Sequence, residues 1–232
     1  MTDLHTHILP GMDDGSSSPT ESLALLQLER EQGVDVAVLT PHFYREREPV
    51  SRFLARRQAA YEALCRERTS DRDPELVLGA EVAWFPSLAG EEAVEALCLG
   101  NSRQILLELP FEPWSPGLLD RVFNFAGTTG LVPVFAHVER YLSIQDRARM
   151  DDLVALGFPM QMNADSLLSF RWRRRCLRLL ERGRWYLGSD CHNLDSRPPK
   201  YGRAAKLLQE RLGGRAEELL RWSPKKREEA VP

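Results

Sequence analysis

The stretch Asp3-Leu4-His5-Thr6-His7, the loop that leads from it to Ser18-Pro19-Thr20-Glu21, and the charged, leucine-bearing run up to Gly33 decide the fold. A short apolar run passes into a loop and then into a helix with a legible start. Ser18 reads as N-cap, Pro19 as the first helical position and Glu21 as the residue closing a capping box. Gly33 marks the helix end, and a second apolar run, 36–40, follows at once. Outward from this unit the pattern repeats. Strand-type runs fall at 3–5, 36–40, 76–81, 105–109, 132–137, 159–163 and 185–190. Helix-type segments lie between or after them, near 19–33, 52–68, 90–97, 117–128, 146–156, 166–182 and 200–212. Seven strand-then-helix units without a hairpin signal predict parallel strands joined by crossover helices.

The 232 residues, 43% hydrophobic and 28% charged, suffice for one large α/β domain with a real core. There is no linker, fixed-period repeat or low-complexity tract, so the expectation is a single domain over 1–223 with a charged tail at 224–232. The net charge of -3 gives no global reason to expect nucleic acid or an anionic membrane as partner. No apolar run reaches the ~18 residues of a membrane span, and the N-terminus lacks the basic and apolar regions of a secretory signal. Cys65, Cys98, Cys176 and Cys191 show no C-x-x-C pairing and no framework spacing. A reduced, cytoplasmic protein without membrane insertion is expected.

The residues that close the strand runs carry the chemistry. The first run ends in His5-Thr6-His7, with Asp13-Asp14 in the following loop; the second ends in Thr40-Pro41-His42 and the third in Gly79-Ala80-Glu81. The fourth ends in Leu107-Glu108, the fifth in Ala136-His137-Val138-Glu139-Arg140, the seventh in Ser189-Asp190-Cys191-His192. All five histidines of the chain therefore lie at strand ends. In a parallel barrel those ends converge on one face, where active sites are built. A lone histidine is more often a buried imidazole bonded to backbone, but that reading leaves five histidines and their neighbouring carboxylates without a common cause. Imidazoles mixed with carboxylates suit a divalent metal cluster. On an extended segment residues i and i+2 share a face, so His5 and His7 can grip one ion, and Asp190 with His192 would repeat that geometry.

The segment His5-Thr6-His7-Ile8-Leu9-Pro10-Gly11-Met12-Asp13-Asp14-Gly15 resembles the opening of the bacterial protein-tyrosine phosphatases of the PHP (polymerase and histidinol phosphatase) superfamily, in the branch tied to capsule and exopolysaccharide production. Thr40-Pro41-His42, Gly79-Ala80-Glu81, Leu107-Glu108-Leu109-Pro110-Phe111 and Ser189-Asp190-Cys191-His192-Asn193 follow in matching order. The resemblance runs from Met1 to about Leu212. It implies a distorted seven-stranded (β/α) TIM-like barrel, the PHP fold, with three divalent metal ions. By resemblance His5, His7, Glu81 and Asp190 hold the first ion. Glu81 bridges to a second held by Glu108 and His137, and Asp14, His42 and His192 hold a third. Asp14 and Glu108 stand where other PHP phosphatases often place histidine, which favours the tyrosine-phosphatase branch. The chain departs from the family at His137-Val138-Glu139-Arg140, where relatives read H-P-E-R, at Cys191, where they have a small residue, and at Asp165, where they tend to have glycine. None of these removes a ligand.

Such ions lower the pKa of bound water toward roughly 7 and hold nucleophile and phosphoryl oxygens in line. Mixed nitrogen and oxygen ligands suit Mn, Fe and Zn alike. Arg140, just past His137, is the first choice for a bidentate phosphate clamp, and Arg197 the second. No general acid is evident, which fits an aryl ester, because a phenol of pKa ~10 leaves with less protonation than an alkyl alcohol. Phe43-Tyr44, Trp84-Phe85 and Phe111 with Trp114 each follow a ligand; they either wall a slot for a phosphotyrosine ring or pack the loops onto the barrel. Cys191 to Arg197 also matches C-x5-R, the pattern of thiolate-dependent tyrosine phosphatases. So does Cys176 to Arg182 inside a helix, and the segment after Cys191 lacks the glycines of a phosphate loop. The basic run Arg171-Trp172-Arg173-Arg174-Arg175-Cys176-Leu177-Arg178 reads as a solvated helix face or as a surface that steers an acidic partner.

The expectation is a metal-dependent protein-tyrosine phosphatase. Its substrate would be a phosphotyrosine protein, a bacterial tyrosine kinase tail linked to exopolysaccharide production. The alternatives are a small-molecule phosphomonoesterase of the histidinol-phosphatase kind and a non-catalytic phosphotyrosine-binding regulator. A homo-oligomer is compatible with either, and the sequence leaves the native metal open.

Overall fold

Each apolar run of the sequence becomes one parallel strand or two. The order is β1 (Thr2–Thr6), α1 (Pro19–Glu31), β2 (Val36–Leu39), β3 (His42–Phe43), α2 (Val50–Glu67), β4 (Glu75–Leu78), β5 (Glu81–Ala83) and β6 (Gln104–Glu108). Then come α3 (Leu118–Thr129), β7 (Val132–Phe135), α4 (Arg147–Ala155), β8 (Met160–Asn163), α5 (Ala164–Leu168), α6 (Arg173–Leu180), β9 (Trp185–Gly188), α7 (Tyr201–Leu212) and α8 (Arg215–Leu220). This computed structural model describes residues 1–70 and 72–223; the tail at 224–232 lies outside the described residues.

Two strands break where the sequence reading ran on. Pro41 has no N–H to give a ladder, and the chain passes from β2 to β3 across Thr40-Pro41. Opposite it, β4 passes to β5 across Gly79-Ala80, where a Cβ on Gly79 would stand 2.8 Å from Leu99. The Gly79 N–H donates to the Leu39 carbonyl (2.9 Å) and the Glu81 N–H to the Pro41 carbonyl (3.1 Å), so the two broken strands stay in register. The sheets run β1-β2-β4 and β3-β5-β6-β7-β8-β9, and every named pairing is parallel. Beyond β9 the Asp190 N–H donates to the His5 carbonyl (2.8 Å), and the His7 N–H to the Cys191 carbonyl (2.9 Å), which brings the last strand against the first.

Helix α1 begins as expected: Ser18 is the cap and accepts the Glu21 N–H at 3.3 Å, a contact of a type worth about 1 kcal/mol. The capping box does not close as expected, because the Glu21 carboxylate takes the N–H and hydroxyl of Ser17 (2.8 and 2.9 Å), one residue upstream. The helix expected at 90–97 is replaced by 3-10 turns at Leu88–Gly90 and Val94–Leu97, and the one at 166–182 splits into α5 and α6. Helix α8 had no counterpart in the sequence reading.

The main core packs strand residues against the helices; among its members are Leu25 and Leu26 of α1 and Phe53 and Leu64 of α2. A second cluster gathers Leu4, Val38, Val77, Leu106, Val134 and Tyr186 from both sheets around Trp222. The Trp222 indole N–H donates to Gln104 Oε1 (2.6 Å), and its carbonyl accepts the Thr2 hydroxyl (2.9 Å). Trp222→Ala is therefore expected to cost about 3–5 kcal/mol in urea unfolding; a loss below 1 kcal/mol would show that this cluster stands without the indole.

Candidate metal and phosphate site

The termini of six strands and one loop bring the nine expected ligand residues together. His5 is the penultimate residue of β1 and His7 follows the strand; Asp14 lies in the next loop; His42 and Glu81 open β3 and β5; Glu108 closes β6. His137 follows β7, and Asp190 and His192 follow β9. The backbone at Asp190 differs from expectation. Its φ of +54° turns the chain, so Asp190 and His192 do not share a face of an extended strand. The turn still sets the His192 ring 3.9 Å from the ring of His7. His137 also has a positive φ, +32°. A non-glycine residue pays strain there, and such strain concentrates at functional sites.

Glu81 is the hub. Its Oε2 lies 3.2 Å from His5 Nε2, 3.4 Å from His7 Nε2 and 2.8 Å from His42 Nδ1, while its Oε1 lies 2.8 Å from His137 Nε2. Burial raises its carboxyl pKa, but the surrounding imidazoles, His5 foremost, hold it well below the usual range. Asp190 Oδ1 stands 3.8 Å from His5 Nε2 and 3.5 Å from His7 Nε2. Glu108 Oε1 lies 3.3 Å from His137 Nε2. Asp14 Oδ1 lies 3.6 Å from His42 Nε2 and 3.5 Å from His192 Nε2. The ligand atoms of His5, His7 and Glu81, and those of His7, His42 and His192, fall within 4.8 Å of one another.

Residues one layer out fix what these atoms present. The His137 N–H donates to Gln161 Oε1 (2.7 Å), which settles the amide orientation, so His5 Nδ1, 3.0 Å from the same oxygen, must carry a proton. His7 Nδ1 donates to Asp13 Oδ2 at 2.7 Å. With Nδ1 of each ring engaged, the two Nε2 atoms face each other across 3.0 Å. Atoms bound tetrahedrally at ~2.1 Å to one ion stand ~3.4 Å apart, close to the 3.0–3.8 Å spread of His5, His7, Glu81 and Asp190. The donor set fits a divalent ion.

Sequence reasoning gave no role to Asp13, Gln161 or Asn163. Asp13 accepts from His7 and from the His42 and Gly15 N–H groups (2.8 and 2.9 Å). Burial opposes its charge, but these partners, His7 first, hold its carboxyl well below the usual range. Asn163 Nδ2 donates to Asp190 Oδ2 (2.7 Å). A carboxylate six residues from a histidine ligand was the available signal for Asp13, since ligating imidazoles bond a second acceptor. Asp13→Ala is expected to weaken metal binding by about 10- to 100-fold in a competitive chelator titration; unchanged affinity would mean that His7 is oriented by other contacts.

The aromatic slot is only partly present. Phe43 is fully buried against Phe53 and Phe85, Trp84 packs edge-on against Phe125, and Trp114 packs on Tyr141. These four support loops. Successive strand residues point to opposite faces, so Phe43 and Tyr44 cannot both face a ligand. Tyr44 lies 5.3 Å from the His42 ring, and half-exposed Phe111 lies 5.4 Å from the His137 ring. The Arg140 guanidinium sits 4.3 Å over Phe111. Beside the cluster opens a cleft of about 300 Å³ lined by Arg140, Asn163, Asp165, Asp190, Arg197 and Lys200. Arg197 Nη2 lies 2.8 Å from Asp190 Oδ1, and Lys200 pairs with Asp165 at 2.8 Å.

Cys191 faces the other way, its Sγ 3.7 Å from buried Glu29. Burial and the Glu29 charge push its thiol well above the ordinary value, the opposite of what a nucleophilic thiolate needs. All four cysteines are free. Among the described residues no helix is long and apolar enough to cross a membrane.

Comparison with known proteins agrees with this geometry. The chain is 30% identical to the tyrosine-protein phosphatase CpsB of Streptococcus pneumoniae, over 97% of both chains. It is 28% identical to the tyrosine-protein phosphatase YwqE of Bacillus subtilis (strain 168), over 92% of this chain and 85% of the relative. It superimposes with a TM-score of 0.78 and 25% identity, over 97% of this chain and 98% of the other, on a chain from the crystal structures of YwqE from Bacillus subtilis and CpsB from Streptococcus pneumoniae, described as unique metal-dependent tyrosine phosphatases. The sequence profile for capsular polysaccharide synthesis, CpsB/CapC, matches residues 1–227, and the chain belongs to that family.

Proposed function

We propose that the chain is a metal-dependent protein-tyrosine phosphatase that removes phosphate from a tyrosine kinase tail in capsule or exopolysaccharide production. We place it in the cytoplasm and read residues 1–223 as one distorted seven-stranded barrel. The bonds from Asp190 to His5 and from His7 to Cys191 support the barrel, as do the matched breaks at Thr40-Pro41 and Gly79-Ala80. The convergence of His5 Nε2, His7 Nε2, Glu81 and Asp190 at 3.0–3.8 Å carries the functional reading. His5, His7, Glu81 and Asp190 would hold one ion; Glu81, Glu108 and His137 a second; Asp14, His42 and His192 a third, with Mn, Fe and Zn all suited to these donors.

Such ions, when bound, polarise phosphoryl oxygens and make hydroxide available at neutral pH. The chain's own groups do the rest. Arg140 offers its planar fork to two phosphoryl oxygens, and Phe111 beneath it holds the guanidinium over the cleft. Arg197 adds a second cation at the same opening. Tyr44 and Phe111 flank the position of an aryl leaving group. His7, kept in orientation by Asp13, and His5, kept by Gln161, present Nε2 without a search through tautomers.

The test is turnover of a phosphotyrosine peptide and of histidinol phosphate side by side, on full chain of measured metal content. The peptide is expected to be the better substrate by kcat/KM. A preference for histidinol phosphate would replace protein dephosphorylation by small-molecule phosphomonoester hydrolysis, and binding of the peptide without turnover would leave a regulator.

A further inference from the structure

The exposed cations of the segment after α5 have no ion-pair partner among the described residues. Phe170 is 99% exposed, alone among the large apolar side chains of the described residues in standing almost free in solvent. Around it Arg171, Arg174, Arg175 and Arg178 are exposed, and none of them makes an ion pair among the described residues. Some other surface arginines are paired, as Arg45 is with Glu91 and Arg147 with Asp151. Arg173 is different: its guanidinium donates to the Leu167 and Leu168 carbonyls, both at 3.0 Å, and so fastens the end of α5 to the start of α6. Trp172, half-buried, packs on the core, with the guanidinium groups of Arg171 and Arg175 at 5.7 and 5.4 Å from its ring. The segment is thus anchored from beneath while its cations and one aromatic ring face outward.

The same α5 begins at the cleft. Asp165 and Ser166 line that opening with Arg140, Arg197 and Lys200. A five-residue helix rises only about 7.5 Å, and Phe170 lies two residues past its end. Rim and patch are therefore roughly 10–15 Å apart, the span of about three to five residues of extended peptide. On a protein of net charge -3 this is a local cationic surface, and four guanidinium groups without an ion pair among the described residues complement carboxylates, not another basic or neutral chain.

We infer that the surface formed by Phe170, Arg171, Arg174 and Arg175 docks an acidic flank of the phosphotyrosine substrate, so that the enzyme prefers phosphotyrosine followed or preceded by Asp or Glu three to five residues away. This rests on the phosphatase reading of the neighbouring cleft. Docking at an exposed charged surface acts on encounter and on KM, and leaves the chemical step alone.

Two phosphotyrosine peptides of equal length, one with three Glu at those distances and one with Ser, decide the matter with the full, metal-loaded chain. The wild type is expected to favour the acidic peptide by about tenfold in kcat/KM, carried by KM and shrinking as salt is added. A triple variant, Arg171→Gln with Arg174→Gln and Arg175→Gln, should lose that preference and keep wild-type turnover of a bare aryl phosphate. Anisotropy of the labelled acidic peptide without phosphate gives a second reading that needs no catalysis, and binding there should weaken in the triple variant. Equal kcat/KM for both peptides, or a preference that survives in the triple variant, overturns the inference. A triple variant altered only in sedimentation would assign the face to a second copy of the chain, and binding to anionic vesicles but not to the peptide would assign it to lipid; either outcome overturns it as well. Absence of all turnover with acidic-peptide binding intact would remove the phosphatase reading alone.

Discussion

Removal of metal by a chelator is expected to lower hydrolysis of phosphotyrosine peptide by at least ~10³-fold, and divalent ions should restore it, while Cys191→Ser keeps most of the activity. The two halves separate two chemistries that the sequence alone presents together, because Cys191 to Arg197 also matches the thiolate pattern. The Cys191 thiol is buried against Glu29, and burial holds it protonated. The Nε2 atoms of His5 and His7 instead converge on one point beside Glu81 and Asp190. His5→Ala and Glu81→Gln should each lower bound metal as well as rate, since His5 supplies one face of the donor set and Glu81 reaches four histidines. Metal content is read by elemental analysis of the purified variants, independently of turnover. Full metal in both variants would sink the ligand assignment, and activity that survives the chelator but vanishes with the thiol would overturn the mechanism.

Arg140→Ala is expected to keep the metal count and to lower kcat/KM for aryl phosphates by about 30- to 1,000-fold, the equivalent of roughly 2–4 kcal/mol of transition-state stabilisation. Arg140 is exposed, lies over Phe111 at 4.3 Å and lines the cleft, yet it touches no ligand residue that its loss would unfasten. Arg197 is a less clean probe, because its guanidinium also binds Asp190 at 2.8 Å and its removal would disturb a ligand. Arg140→Lys should recover only part of the rate, since an ammonium keeps the charge but not the fork. The loss should be the same for a phosphotyrosine peptide and a bare aryl phosphate, which present one phosphoryl group. Wild-type kinetics in Arg140→Ala would mean that the metals alone hold the phosphate; a loss confined to the peptide would move Arg140 to the recognition rim.

The convergence of the candidate ligand residues was legible because chemistry and period coincide: a histidine or carboxylate at the end of an apolar run is placed by the strand, and parallel strands bring their ends together. What the sequence hid depends on contacts between distant segments. Gln161 looks like any strand polar residue until the His137 N–H fixes its amide against His5. The turn at Asp190 is imposed by the bond from its N–H to the His5 carbonyl, across 185 residues, and nothing local announces it. The aromatic pairs divided as their surroundings dictate: Phe43, Trp84 and Trp114 pack on other rings, while Tyr44 and Phe111 stand beside His42 and His137. Likewise 166–182 carries helix-forming residues throughout, but Arg173 closes the α5 carbonyls and starts a new helix.

Trp222 follows β9, the last strand among the described residues, yet it sits among residues of the first strand and of both sheets. During synthesis the sheet interior is thus left without its last side chain until residue 222 has cleared the ribosome. The nascent protein can form its helices early, but Leu4, Val38 and Val77 remain without their final covering. The ring also bonds Gln104, near the middle of the chain, and its carbonyl bonds Thr2 at the beginning, so one late residue ties three epochs of synthesis together. A chain stopped a few residues early would carry every candidate ligand and still expose apolar surface, and is expected to be cleared or to aggregate with the proposed site intact.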